Sequence, residues 1–181
     1  MSSTKKICLC AVCIALCYVL PMAFHPFALG TALSPMHIPV LLCGLLCGWP
    51  YGALCGAAGP ILSSVLSGMP PAAMLLYMIP ELVVYGLCAG LLMGRVRTGR
   101  VLADLYVALV PAMLLGRVAG GVAHALFFSP DQPYSMALWV SGYLVGTLPG
   151  IILHLVILPV LVLALMKARL VPARYAVSPA A

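Results

Sequence analysis

Two charged side chains interrupt apolar segments of this chain, and they are the residues best suited to bind a polar molecule. Glu81 lies about nine residues into the fourth apolar run, and Arg117 about eleven residues from the end of the fifth, so both are roughly 13–17 Å deep at 1.5 Å per residue. Arg117 suits a carboxylate or a phosphate, and Glu81 suits an amine, a hydroxyl or a ring N–H. A structural ion pair is the alternative interpretation, but a buried pair rarely stabilises a fold more than apolar residues would, which favours a functional role.

Aromatic and imidazole side chains accompany the two charges. Tyr77 and Tyr85 lie four residues before and four residues after Glu81, which places all three on one helix face. Further candidates on the same side of the membrane are His37, His124, Trp139 and Tyr143. Singly, each of these is more typical of packing or of an interface anchor. Together they predict an outward-facing small-molecule pocket with one cation, one anion and aromatic walls. His154, deeper in the last run, is interpreted as a core residue.

The composition is that of an integral membrane protein. Of 181 residues, 65% are hydrophobic and only 7% are charged, whereas about a quarter of a soluble domain is charged. The length predicts a single domain, residues 1–181. The formal charge of +6 does not indicate nucleic-acid binding, because the basic residues are split among three sites that flank apolar runs. These residues are better suited to anionic lipid head groups or to a cytoplasmic partner.

Six apolar runs predict an all-α, polytopic bundle of six transmembrane helices. The expected helices cover about residues 7–24, 34–47, 51–66, 72–93, 102–128 and 135–166. Eight of the nine Lys and Arg residues precede the first run, fill the loop after the fourth, or follow the sixth. This positive-inside pattern predicts that both termini are cytoplasmic. The second and third helices are short for a hydrocarbon core of about 30 Å, and their small residues, Gly44 and Gly52 among them, favour close backbone packing.

Eight cysteines are present, and none lies in a predicted outer loop. We expect them to be reduced and to pack as small apolar residues. Cys10 and Cys13 match C-x-x-C, but no His or acid lies near them in sequence, so we predict no metal and no cofactor. The chain also has no G-x-x-x-x-G-K-[ST] motif, so ATP hydrolysis would have to come from another subunit.

The segment Ala11-Val-Cys-Ile-Ala15 in the first helix places two small residues four apart. Such a stripe lets another helix lie close, either within the bundle or from a partner protein.

With this motif, the six-helix pattern resembles the substrate-binding S components of energy-coupling factor (ECF) transporters. The stretch LSPMHIPVLLCG at residues 33–44 is similar to a vitamin-type subfamily of these proteins. The same is true of Gly59-Pro60, GMPP at 68–71, MIPEL at 78–82 and Gly116-Arg117. The resemblance covers nearly the whole chain.

The resemblance implies a transport role without enzymatic activity in the bacterial cytoplasmic membrane. An S component captures a vitamin or related micronutrient outside, docks on a membrane scaffold subunit that carries two ATPases, and topples to release the substrate inside. Ala11 and Ala15 match the family's docking motif. The family binds substrate between the first outer loop and the outer parts of helices 4 to 6, where Glu81, Arg117 and their aromatic neighbours fall.

Two other function classes remain open at this point. One is a small membrane oxidoreductase that uses Cys10 and Cys13. The other is a structural bundle without a ligand, in which Glu81 and Arg117 contribute only to stability.

Overall fold

The computed structural model describes residues 1–24, 33–127, 141, 146–172 and 174, and within these ranges the chain is helical with no strand. The all-α class is therefore confirmed for the described part. Its six helices are α1 Ser3–Phe24, α2 His37–Cys47, α3 Trp49–Ser67, α4 Ala72–Arg95, α5 Val101–Phe127 and α6 Leu148–Lys167.

Four of the helices, α1, α4, α5 and α6, are long and apolar enough to cross a membrane. Their most apolar windows have mean hydropathies of 2.6, 1.9, 1.8 and 2.6. In contrast, α2 has only 11 residues, which at 1.5 Å per residue gives about 16 Å, roughly half of a hydrocarbon core. The chain is thus a membrane protein, and the full count of six spans remains a prediction.

The second and the sixth helix differ from those expected. The second helix begins at His37 rather than at residue 34, because Ser34 precedes a proline and adopts a left-handed φ of 44°. The described part of the sixth helix begins at Leu148, after a turn at Gly146 and Thr147, so the expected continuous helix over residues 135–166 is interrupted there. Its expected start at about residue 135 lies outside the described residues. Pro149 explains the start at Leu148, since proline fits the first helical turn, where its missing N–H removes no hydrogen bond.

A seam of glycines joins α2, α3 and α4 at backbone distance. A Cβ atom added to Gly44 would lie 2.5 Å from the carbonyl oxygen of Gly86, and one added to Gly52 would lie 2.7 Å from the Cα of Gly44. A Cβ on Gly86 would in turn meet the backbone of Gly52. No side chain fits between these backbones, which confirms the close packing expected from the small residues.

The inward face of α1 is made of thiols. Cys10, Cys13 and Cys17 are buried against α2 and α3, where the Cys10 thiol donates to the Tyr51 carbonyl at 3.6 Å and the Cys17 thiol to the Met36 carbonyl at 3.8 Å. All eight cysteines of the chain have free thiols. They therefore pack as small, weakly hydrogen-bonding core residues, as expected.

The basic residues gather at one end of the bundle, which is formed by the start of α1, the α4–α5 loop and the end of α6. Lys5 and Arg169 line one crevice there, and Arg174 contacts the α4–α5 loop. The charge distribution inferred from sequence is thus brought to a single end by the fold, while its orientation across the membrane remains a prediction.

The glycine seam predicts a large effect of a single methyl group. Gly86→Ala places a Cβ against the Gly52 backbone. A backbone neighbour cannot change rotamer to make room, whereas a flexible side chain could. We expect a loss of about 1–3 kcal/mol in unfolding free energy and a lower thermal unfolding midpoint in detergent. The control is Gly94→Ala in the same helix, where an added Cβ meets nothing within 4 Å. Equal midpoints for the two variants would contradict the seam.

Candidate functional site

The Glu81 carboxylate is the centre of a buried polar cluster contributed by three helices. Its Oε1 lies 3.4 Å from Nη1 of Arg117 on α5 and 3.4 Å from Nε2 of His37 on α2. Glu81 and Arg117 are each 4% exposed. This contact agrees with the matching depths of the two residues in the sequence. Two opposite charges held in contact offset much of the cost of burying either one alone.

Glycines on α5 make the space that α4 needs for its polar side chains. A Cβ on Gly120 would lie 2.7 Å from Oε2 of Glu81, and one on Gly116 would lie 3.0 Å from the ring of Tyr85. The two glycines are four residues apart, as are Glu81 and Tyr85, so one turn of α5 packs against one turn of α4. The local sequence of α5 therefore sets where the carboxylate and the phenol sit.

Two imidazoles complete the cluster on the side of α2 and α6. The His37 Nδ1 lies 3.1 Å from the Ser34 carbonyl oxygen, and its ring meets the Tyr85 ring edge-on with centroids 5.1 Å apart. His154 stacks on His37 at 5.9 Å and is 1% exposed. His154 is thus buried, as a core residue would be, but it also belongs to the polar cluster. Sequence reasoning missed this because no local pattern gives the packing of α6 against α2.

Tyr77 and His124 form a separate aromatic pair. Their rings meet edge-on with centroids 4.7 Å apart, and both residues are partly exposed. Tyr77 precedes Glu81 by four residues, which is about 6 Å along α4 in the direction away from the basic end. The pair therefore lies between the buried cluster and the far end of the bundle. Trp139 and Tyr143, the remaining aromatic candidates, lie outside the described residues.

Several buried polar atoms in the cluster have no hydrogen-bond partner among the described residues. They are Nε and Nη2 of Arg117 and Nε2 of His154. Because more than nine-tenths of buried polar groups in proteins are paired, a concentration of unpaired ones marks a place where another molecule can supply partners. The arrangement suits a small polar ligand, with donors from the arginine and the phenol and an acceptor from Glu81.

A crevice between α5 and α6 leads to the same arginine. It is lined by Arg117 and by apolar side chains, namely Val110, Met113, Leu114, Ile151 and Leu155, and has a volume of about 80 Å³. Ligand pockets usually measure about 300–1,000 Å³. The crevice is thus too small for a vitamin-sized molecule, and its α5 residues lie on the side of Arg117 toward the basic end.

A second acidic residue, Asp104, organises the basic end, and sequence reasoning did not single it out. It is fully buried and accepts two hydrogen bonds of 2.7 Å from Thr98, one from the backbone N–H and one from the hydroxyl. The Arg174 guanidinium donates to its other oxygen and also to the Val96 carbonyl. Its position in the first turn of α5 could have been recognised in the sequence, since acidic residues favour helix N-termini. Its partner Arg174, 70 residues away, could not have been recognised in this way.

Among the described residues, no group of three or more His, Cys, Asp or Glu side chains is placed to hold a metal ion. Ala11 and Ala15 are exposed, on the face of α1 opposite its buried cysteines. The two alanines are thus available to something outside the chain, and they do not pack within it.

Comparison with known proteins gives one match. A family model described as ECF transporter, substrate-specific component matches residues 5–162. No curated protein and no solved structure matches the chain.

The Asp104 cluster predicts that the C-terminal segment contributes to stability through one carboxylate. Asp104→Asn removes the charge that Arg174 contacts, and because hydrogen bonds to charged groups contribute about 1.5–3 kcal/mol, we expect a loss of about 2 kcal/mol. Arg97→Gln, which removes an exposed charge from the same loop, is the control and should change the unfolding free energy by less than about 0.5 kcal/mol. A thermal midpoint unchanged by Asp104→Asn would show that this contact is dispensable.

Proposed function

The chain belongs to the family of substrate-specific components of ECF transporters, and from that premise we propose that it captures a vitamin-like micronutrient outside the bacterial cytoplasmic membrane. At the level of the family, such a chain is a transport subunit and not an enzyme. The observation that carries the proposal for this chain is the buried Glu81–Arg117 pair with unpartnered polar atoms around it. Two buried nitrogens of Arg117 have no hydrogen-bond partner among the described residues, which a role in holding helices together does not explain.

We propose that the binding pocket extends from this pair away from the basic end. Glu81, Arg117, Tyr85 and His37 form its floor, and the pair of Tyr77 and His124 lies on the way out. Trp139 and Tyr143 are proposed as further wall residues from the sequence alone. The basic end is proposed to face the cytoplasm, since Lys and Arg concentrate in cytoplasmic loops, and the pocket then opens outward.

The exposed alanine face of α1 is the proposed docking surface for the membrane scaffold subunit, which carries the two ATPases. Small residues four apart allow close helix approach, and in this chain they point away from the bundle. Energy for uptake would come from those ATPases, because the chain has no nucleotide-binding motif of its own.

The oxidoreductase alternative finds little support in the geometry. Cys10 is 3% exposed and Cys13 is 1% exposed. Reactive cysteines are partly accessible and sit beside positive charge, whereas these thiols face other core side chains. Replacement of the cysteines by alanine or serine should accordingly leave ligand binding intact.

Ligand capture can be tested on the chain alone. Native mass spectrometry of protein purified in mild detergent from cells grown in rich medium should reveal one bound small molecule per chain. An empty protein that also shows no thermal shift with a panel of water-soluble vitamins would refute the proposal and favour the ligand-free bundle.

Charge-pair variants separate binding from stability. Arg117→Met leaves Glu81 buried without its cation, which should cost about 3–5 kcal/mol, while the double variant Glu81→Gln/Arg117→Met should regain most of that loss. Neither should carry the small molecule seen on the wild type by native mass spectrometry. Wild-type occupancy in the double variant would instead assign the pair a purely structural role.

Docking variants separate binding from transport. Ala11→Trp and Ala15→Trp place bulk on the exposed face of α1, so we expect substrate uptake into cells to fall at least about tenfold. Occupancy of the purified chain should stay unchanged. The control is Val160→Trp, a similarly bulky change at a residue that is 61% exposed on α6. If the alanine variants lost occupancy as much as uptake, the docking assignment would be wrong.

A further inference from the structure

We propose that Arg117 receives a carboxylate group of the substrate along one edge of its guanidinium. This inference rests on the proposed function and narrows it, since it assigns the chemical class of the group that the pocket recognises. The observation behind it is the state of the three Arg117 nitrogens: one contacts Glu81, and the other two have no hydrogen-bond partner among the described residues.

Arg117 contacts Glu81 through Nη1 only, at 3.4 Å. Its Nε and Nη2 are buried and have no hydrogen-bond partner among the described residues. In a planar guanidinium, the Nε–H bond and one Nη2–H bond point in the same direction and are spaced to match the two oxygens of a carboxylate. The unused side of Arg117 is therefore a complete two-donor fork and not two unrelated orphan atoms.

The charge balance favours a carboxylate over a phosphate ester. The positive charge of Arg117 is already shared with Glu81, which lies in contact with it. A carboxylate adds one negative charge, whereas a phosphate ester adds about 1.5 to 2 at neutral pH. A single shared cation compensates the smaller charge far better than the larger one in a buried setting.

A buried phenol adjoins the fork. The Tyr85 hydroxyl lies within reach of both Glu81 and Arg117. It can donate to a carboxylate oxygen or accept from a neighbouring hydroxyl. We infer a substrate with one carboxylate.

Matched pairs of compounds test the charge directly. The probes are nicotinate with nicotinamide, pantothenate with pantothenol, and biotin with biotinamide, with pyridoxine and its 5′-phosphate as the phosphate arm. Their dissociation constants are measured by calorimetry on the wild-type chain in detergent. Fragmentation of any co-purified molecule in the mass spectrometer shows independently whether it carries a carboxylate. We expect the bound molecule to carry one, and the matching neutral analogue to bind about 10- to 100-fold more weakly.

Arg117→Lys then tests the fork. Lysine keeps a cation beside Glu81 but has no pair of parallel donors, so carboxylate binding should weaken at least about tenfold while the thermal midpoint changes little. Arg97→Lys, at an exposed position, is the control and should change neither. Should Arg117→Lys fail to fold, the comparison of matched compounds on the wild-type chain still decides the question.

The outcomes distinguish this inference from the proposed function. If the co-purified molecule lacks a carboxylate, or if a neutral or phosphorylated probe binds best, the carboxylate assignment is overturned while ligand capture stands. Undiminished carboxylate binding by Arg117→Lys overturns the fork. A chain that carries no small molecule and binds no probe overturns the proposed function and, with it, this inference.

Discussion

An ionised carboxylate inside a membrane protein needs a partner, and the arrangement of the central helices follows from that requirement. One oxygen of Glu81 on α4 meets both Arg117 on α5 and His37 on α2. All three helices must therefore come within side-chain reach of a single atom. The glycine seam brings α2 to α4 at backbone distance, and Gly116 and Gly120 leave room on α5 for Tyr85 and Glu81. Charge placement and small-residue packing thus depend on each other, because a larger residue in the seam would separate the charges that the seam brings together.

Features that can be counted along one helix could be predicted from the sequence. The depth of Glu81 and of Arg117 follows from residue number and helical rise, and the two side chains do meet. The basic residues lie at helix ends that share one side of the bundle, because successive helices run in opposite directions. Close packing of α2 and α3 followed from their small residues, Gly44 and Gly52 among them. The family followed from extended motifs between residues 33 and 117, and it agrees with the match over residues 5–162.

Features that depend on how one helix is rotated against a distant one could not be predicted. His154 joins the polar cluster only because α6 turns it toward His37. Asp104 meets Arg174 only because the fold brings together two residues that are 70 positions apart. Hydrophobic periodicity carries no such information in a chain whose helices are apolar on every side. The turn before Leu148 was missed for a related reason, since a proline in an apolar run is compatible with a bend as well as with a first turn.

The cysteines differ in exposure, which makes one of them suitable for selective labelling. Six of the eight cysteines are buried and Cys88 is partly so, while Cys8 is exposed. Cys8 lies about one helical turn before Ala11, on the outward side of α1. A maleimide dye added under mild conditions should therefore react first at this one position. The unaltered chain thus has a natural attachment point for a fluorescent or spin reporter beside the surface proposed to meet the scaffold subunit. The association of the two proteins could be followed spectroscopically without engineering a cysteine or removing the buried ones.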